Sequence, residues 1–266
     1  MQIRIGEALE QGISTMLKNP ITLIPLAVAG VINFFMGRYI SSAVYKMLSP
    51  MMEQLQPFNN VGAQTLPDNV SSSFDPALAQ QFAGDFFSLW TSIAPIVIVG
   101  GLVMLILYLM SVRLTADAIM ETPSPKEALM MSLKKCIPVV LSYILFVAMV
   151  GAGSILLLIP GIFLAVRFCY FPFATMLDDK GIISSLSKSW EITKGNFWRT
   201  FSLGLVITVL GIGISLLFAV LAPTNPLALA SGQMPALPQI LQNIAGVIVA
   251  ALVVGTFTKA YLQARE

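Results

Sequence analysis

The sequence predicts an all-α, polytopic integral membrane bundle of six transmembrane helices, with three amphipathic interfacial helices on the cytoplasmic side. The first of three supporting observations is composition: 56% of the 266 residues are hydrophobic and 11% charged, with a mean hydropathy of +0.83. A soluble domain carries roughly 25% charged residues, so this chain has too few polar groups to cover a surface facing water. The second is the spacing of charges, which leaves long uninterrupted apolar runs. The third is that lysines and arginines collect on one side of those runs.

A charge at the bilayer centre costs at least about 2.5–3.5 kcal/mol, so charge-free runs mark the spans. Residues 19–37 lie between Lys18 and Arg38, and residues 86–112 between Asp85 and Arg113. Residues 136–166 form a run too long for one crossing, with Pro160-Gly161 predicted as a very short turn inside it. Residues 200–258 are 59 residues without a charge. As one helix they would reach about 90 Å, against a hydrocarbon core of about 30 Å, so they cross twice. The break falls where Pro223, Pro226, Pro235 and Pro238 cluster with Asn225, Ser231 and Gly232. The predicted spans are 20–44, 86–112, 137–159, 161–177, 200–222 and 239–261, in a single membrane domain covering 1–266 with an outer loop over about 46–85. These segments lack the alternation of a β-barrel.

With the N-terminus inside, twelve basic residues face the cytoplasm: Arg4, Lys18, Arg113, Lys126, Lys134, Lys135, Lys180, Lys188, Lys194, Arg199, Lys259 and Arg265. Two, Arg38 and Lys46, fall outside, and Arg167 lies within a span. This is a strong positive-inside bias and predicts that both termini are cytoplasmic. The opening residues lack the basic stretch and apolar run of a cleavable signal, so the first span is expected to direct insertion. Asn69-Val70-Ser71 in the outer loop matches a glycosylation sequon, a pattern common by chance.

An amphipathic stretch precedes each pair of spans. In the first, Leu9, Ile13, Met16 and Leu17 share a face until Asn19-Pro20 ends it. In the second, Leu129, Leu133, Cys136 and Ile137 align behind Ser124-Pro125-Lys126-Glu127, which reads as a capping box. In the third, Ile182, Ile183, Leu186, Trp190 and Thr193 form one face, and Gly195-Asn196 closes the helix. Each is too short and charged to span but suited to the headgroup layer, which predicts a repeated unit of surface helix plus hairpin. The alternative is that such loops are amphipathic for no shared reason. Gly100, Gly101, Gly151, Gly153, Gly204, Gly211, Gly213, Gly246 and Gly255 predict close helix packing.

The chemistry available is narrow. The chain has no histidine, which removes the commonest general base and metal ligand. Cys136 and Cys169 are the only cysteines and both are read as lying in predicted membrane segments, so no disulfide framework is indicated. No catalytic triad, phosphate-binding glycine loop or metal-ligand cluster is visible, so no catalytic residue, metal or cofactor is assigned. Asp178 and Asp179 are adjacent and project in different directions, a poor acid/base pair for a membrane enzyme acting on lipids. A net charge of +2 gives no reason to expect nucleic acid. Arg167 is a functional candidate because an intramembrane charge needs a partner. It is read either as structural, held by helix-end carbonyls, a lipid phosphate or an outer carboxylate such as Asp75 or Asp85, or as a lipid-headgroup or transport residue. Pro172 is expected to kink its helix. Trp190, Phe197 and Trp198 are placed for interfacial anchoring, with Lys188 and Lys194 beside them to meet anionic lipids.

The stretch from Ile159 to Arg199 resembles a known family. It reads Ile-Pro-Gly-Ile-Phe-Leu-Ala-Val-Arg-Phe, then Pro172 and Leu177-Asp178-Asp179-Lys180-Gly181, then Ser-Leu-Ser-Lys-Ser-Trp-Glu-Ile-Thr-Lys-Gly-Asn-Phe-Trp-Arg. This is similar to the membrane domain of some glycerophosphoryl diester phosphodiesterases and to the stand-alone YciC-like inner-membrane proteins. Pro160, Gly161, Ile162, Pro172, Asp178, Gly181, Ser189, Trp190, Gly195 and Asn196 are the matching positions. The resemblance implies a plasma (inner) membrane protein of a bacterium or archaeon. Diesterase activity is not carried over, because the sequence holds no soluble catalytic segment. The expectation is a non-enzymatic membrane protein that binds lipids or another membrane protein in envelope maintenance. The alternative is a transporter or channel for a lipid or small solute.

Overall fold

The computed structural model describes residues 3–59, 76–120, 123–221 and 235–265. Helices account for nearly all of them: α1 (Ile5–Lys18), α2 (Ile24–Asn59), α3 (Pro76–Ile119), α4 (Pro125–Leu156), α5 (Leu158–Phe168), α6 (Phe171–Leu177), α7 (Ile182–Thr193), α8 (Phe197–Leu221) and α9 (Ala236–Arg265), with a 3-10 turn at Pro20–Thr22. Six segments are long and apolar enough to cross a membrane: Pro20–Ser49, Ala83–Ile119, Pro125–Ile155, Leu158–Leu177, Phe197–Leu221 and Ala236–Arg265. The chain is a multi-pass membrane protein, and its fold is all-α.

The predicted outer loop over 46–85 is largely helix, since α2 continues to Asn59 and α3 starts at Pro76. The 44 residues of α3 reach about 66 Å, so the α2–α3 hairpin runs well past a hydrocarbon core. The sequon at residues 69–71, Asp75 and most of the predicted break between the last two spans lie outside the described residues.

The turn between the third and fourth spans is not at Pro160-Gly161. Leu157 alone leaves the helix, with φ −161° and ψ 143°, and both Pro160 and Gly161 belong to α5. Proline is tolerated in a first helical turn, where its missing N–H has no intrahelical partner. Gly161 serves a different purpose: a Cβ there would lie 2.0 Å from Ser154 Oγ and 3.0 Å from Ser154 Cα. Only hydrogen fits where α4 folds back on α5.

The three amphipathic stretches diverge in fate. The first is a separate helix ended by Asn19, as read from its sequence. Its buried face, however, is Ala8, Gly12 and Met16, while Leu17 is 72% exposed. The reason is a backbone contact with α9: a Cβ on Gly12 would sit 2.6 Å from the Gly255 carbonyl. The helix therefore turns Ala8 and Gly12 inward together with Met16, leaves Leu9 and Ile13 half-buried, and turns Leu17 out. Arg4 N–H donates to Gln263 Oε1, so α1 runs antiparallel to the C-terminal half of α9 and both chain ends lie at one end of the bundle.

The second stretch is not a separate element. It is the first third of α4, which continues unbroken from Pro125 to Leu156 with Pro138 inside it. Pro125 does start the helix, but Ser124 makes no side-chain capping hydrogen bond, so the expected capping box is absent. The third stretch, α7, buries Ser185, Leu186, Ser189, Ile192 and Thr193, and leaves Ile183 76% exposed. Its inward face is rich in hydroxyls, from Ser185, Ser189 and Thr193.

Candidate functional site

The fourth span is two helices. α5 ends at Phe168, Cys169 and Tyr170 turn, and α6 begins at Phe171 with Pro172 in its first turn. Proline there lacks the N–H that would continue α5, so the expected kink is a full break. A break inside a membrane leaves backbone groups without water to satisfy them, at several kcal/mol each. α7 meets that demand. Ser189 Oγ donates to the Arg167 carbonyl at 2.9 Å and accepts from Tyr170 N–H at 3.0 Å. Thr193 Oγ1 lies 3.2 Å from the same carbonyl. A second hydroxyl pair, Ser142 and Ser185 at 3.3 Å, joins α4 to α7.

The break also sets the direction of the Arg167 side chain. Its guanidinium carbon lies 5.0 Å from the Phe163 ring, 4.8 Å from Trp190 and 5.5 Å from Phe197. Such contacts contribute about 0.5–2 kcal/mol each. They hold the cation but accept none of its hydrogens, and Nε and Nη1 are buried with no hydrogen-bond partner among the described residues. A guanidinium carries five donors in a fork that matches a carboxylate or phosphate. Of the carboxylates considered from sequence, Asp85 lines a different groove with Lys46, between α2 and α3, and Asp75 lies outside the described residues.

Arg167 forms one wall of a groove of about 830 Å³. Lys194 and Arg199 stand on its rim, Trp198 is 74% exposed beside them, and Ile159, Ile162 and Phe201 supply an apolar side. None of the described lining residues is acidic. Arg199 also donates from Nη1 to the Ile3 carbonyl at 3.3 Å, while Asn196 Oδ1 accepts from Ile3 N–H at 3.2 Å. The start of the chain is thus clasped against the rim.

Of the residues singled out from sequence, Arg167, Trp190, Lys194 and Trp198 come together here. Lys188 does not join them and bonds to Glu191 at 3.2 Å, one turn along α7. Phe163 and Arg199 were missed, because an aromatic within a span and a cation at a span's edge each look ordinary in sequence. The motif residues resolve into structural parts. Gly161 permits the hairpin, Pro172 makes the break, Ser189 satisfies it, and Asn196 ties down Ile3. The Gly181 carbonyl accepts from Ser185 N–H at 2.8 Å to start α7. Nothing around Gly195 explains that residue.

Asp178 and Asp179 face different ways, as their adjacency implied. Asp178 accepts from Tyr261 Oη at 2.7 Å and from Arg265 Nη1 at 2.9 Å, tying α6 to α9. Asp179, at φ 55°, pairs with Lys135 of α4. The hydrogen bond and charge of Lys135 hold the Asp179 carboxyl below the ordinary aspartate value.

The family described as Domain of unknown function (DUF7847) matches residues 3–265, and the chain belongs to it. No curated protein and no solved structure matches the chain.

Proposed function

We propose that this member of the DUF7847 family is a non-enzymatic membrane protein that holds an anionic lipid by its phosphate at Arg167, in support of envelope maintenance. The observation that carries the reading is the buried guanidinium with two unmet donors, set in an aromatic cage and facing a basic groove with an apolar side. A phosphodiester supplies the missing acceptors in the geometry a guanidinium prefers, and Lys194 and Arg199 add charge at the mouth. The Lys/Arg bias favours a cytoplasmic position for this end of the bundle. The resemblance of residues 159–199 to inner-membrane proteins favours a bacterial or archaeal plasma membrane.

The test is native mass spectrometry of the protein purified gently from its own membrane, beside Arg167→Leu. A charged hydrogen bond contributes about 1.5–3 kcal/mol, so retention of an anionic lipid is expected to fall roughly 10- to 100-fold. Equal retention by a folded variant would overturn the reading. Inorganic phosphate at millimolar concentration should not displace the lipid; full displacement would make the site one for soluble phosphate. A second reading, a carrier for the same lipid, draws on the helix break beside the site, a feature of transporter binding sites. Movement of fluorescent lipid between the leaflets of protein-bearing liposomes tests it.

A further inference from the structure

Resting on that reading, we infer that the site takes a diacyl anionic phospholipid and threads one of its acyl chains into a slot between α5 and α8. The headgroup groove does not end at its apolar side. Ile162 and Phe201 line both it and a second cavity of about 320 Å³, whose walls include Val166 of α5 and Gly204, Leu205 and Thr208 of α8. On α8 the lining moves from Phe197, Trp198 and Arg199 in the groove to Gly204, Leu205 and Thr208 in the slot, a step into the span. On α5 and the turn after it the slot is walled by Ile162, Ala165, Val166 and Cys169, on either side of Arg167.

The slot is lined mostly by apolar side chains, with Thr200 and Thr208 the hydroxyls among them. The Thr208 hydroxyl is turned to its own helix, donating to the Gly204 carbonyl at 2.8 Å. Gly204 keeps the slot open, since a Cβ built there meets no atom within 4 Å. This space therefore does not come from helix-to-helix packing at a glycine, of the kind seen at Gly12. A basic groove with room for a phospholipid headgroup, opening onto a smaller and mostly apolar slot, matches the two halves of a phospholipid in the order that its chemistry demands. A soluble anion would leave the slot unfilled, and a neutral lipid would leave the guanidinium unmet.

The experiment uses the full chain in nanodiscs with a phosphatidylglycerol bearing a diazirine at mid-chain. Irradiation and peptide mapping locate the chain, and native mass spectrometry on the same samples reports lipid retention. Label is expected on residues 162–166 and 204–208. Gly204→Leu should cut that label at least fivefold, while Gly213→Leu, on the same helix and with equal room for its Cβ, should leave it unchanged. Retained lipid whose label falls elsewhere, or is untouched by Gly204→Leu, would overturn the slot and leave the Arg167 headgroup site standing. A parent that retains no anionic lipid would overturn the headgroup site and the slot together.

Discussion

At the basic end of the bundle, side chains from α3, α6 and α9 close on one another until Leu109, Val112, Met176 and Tyr261 have no exposed surface. At the far end, Val31, Phe35, Val99 and Leu217 each keep more than half of their surface open, and an apolar groove of about 640 Å³ separates α2 from α3. The difference follows from the solvent each end meets. Lipid tails are as apolar as leucine, so helices within the hydrocarbon gain little by burying apolar groups against each other. Near headgroups and water the hydrophobic effect acts in full, and the chain folds there into something close to a soluble core.

Polar contacts divide in the same way. The far end relies on a short ladder between α2 and α9: Asn33 to Asn243 at 2.9 Å, and Gln239 Nε2 to the Phe34 carbonyl at 3.3 Å. The basic end buries Ser111, Thr115, Ser132, Ser185, Ser189 and Thr193, several of which complete backbone bonds between or within helices. Close packing concentrated at one end is what the proposed headgroup site requires, and the open end is suited to lipid tails.

The two ends differ most sharply at their glycines. Gly12→Leu drives a side chain into the α9 backbone and should destabilise by about 3 kcal/mol or more, read as thermal unfolding in detergent. Gly213→Leu, at the far end of α8 where a Cβ meets nothing, should stay within a few tenths of a kcal/mol of the parent, the usual range for uncrowded surface changes. Equal losses in the two would erase the distinction between the ends.

A smaller effect is expected at Ser189. Ser189→Ala strips a donor from the Arg167 carbonyl and an acceptor from Tyr170 N–H. It should cost about 1–3 kcal/mol for each buried group left unsatisfied, with Thr193 able to cover part of the carbonyl. Stability unchanged from the parent would mean that the break needs no support from α7.

The smallest effects belong to the two aspartates at the edge. Asp178→Asn keeps an acceptor for Tyr261 but loses the charge opposite Arg265, which is 40% exposed, so a loss of about 0.5–1 kcal/mol is expected. Asp179 acts through pH. Its depressed carboxyl contributes stability above the ordinary aspartate value of about 3.9, and that contribution is lost as acid carries the pH down from there through the native value. Asn tolerates the left-handed backbone, so Asp179→Asn should remove this acid-dependent step in a melting series between pH 6 and 3. A step of the same size in the variant would assign it to another carboxylate.

Much of this was legible in the sequence, and the unread parts share a cause. Runs without charge reveal helices that cross lipid, because the cost of burying a charge belongs to the residue alone. Helix faces were harder. In α1 the apolar face Leu9, Ile13, Met16 and Leu17 is the more conspicuous stripe, yet Ala8 and Gly12 are buried, because how closely two backbones approach depends on what α9 presents. The same holds for α7, whose serines answer a break in another helix. Arg167 stood out as an anomaly, while its cage needed Phe163, Trp190 and Phe197 from three different helices.

The sequence by itself determined the solvent, the number of crossings and the bias of charge toward one end, since these depend on transfer energies that each residue carries with it. The tertiary structure decided which faces are buried, where the fourth span breaks and what surrounds Arg167. Those outcomes depend on distances between residues far apart in the chain, and contact energies that vanish within a few ångströms leave no periodicity to read.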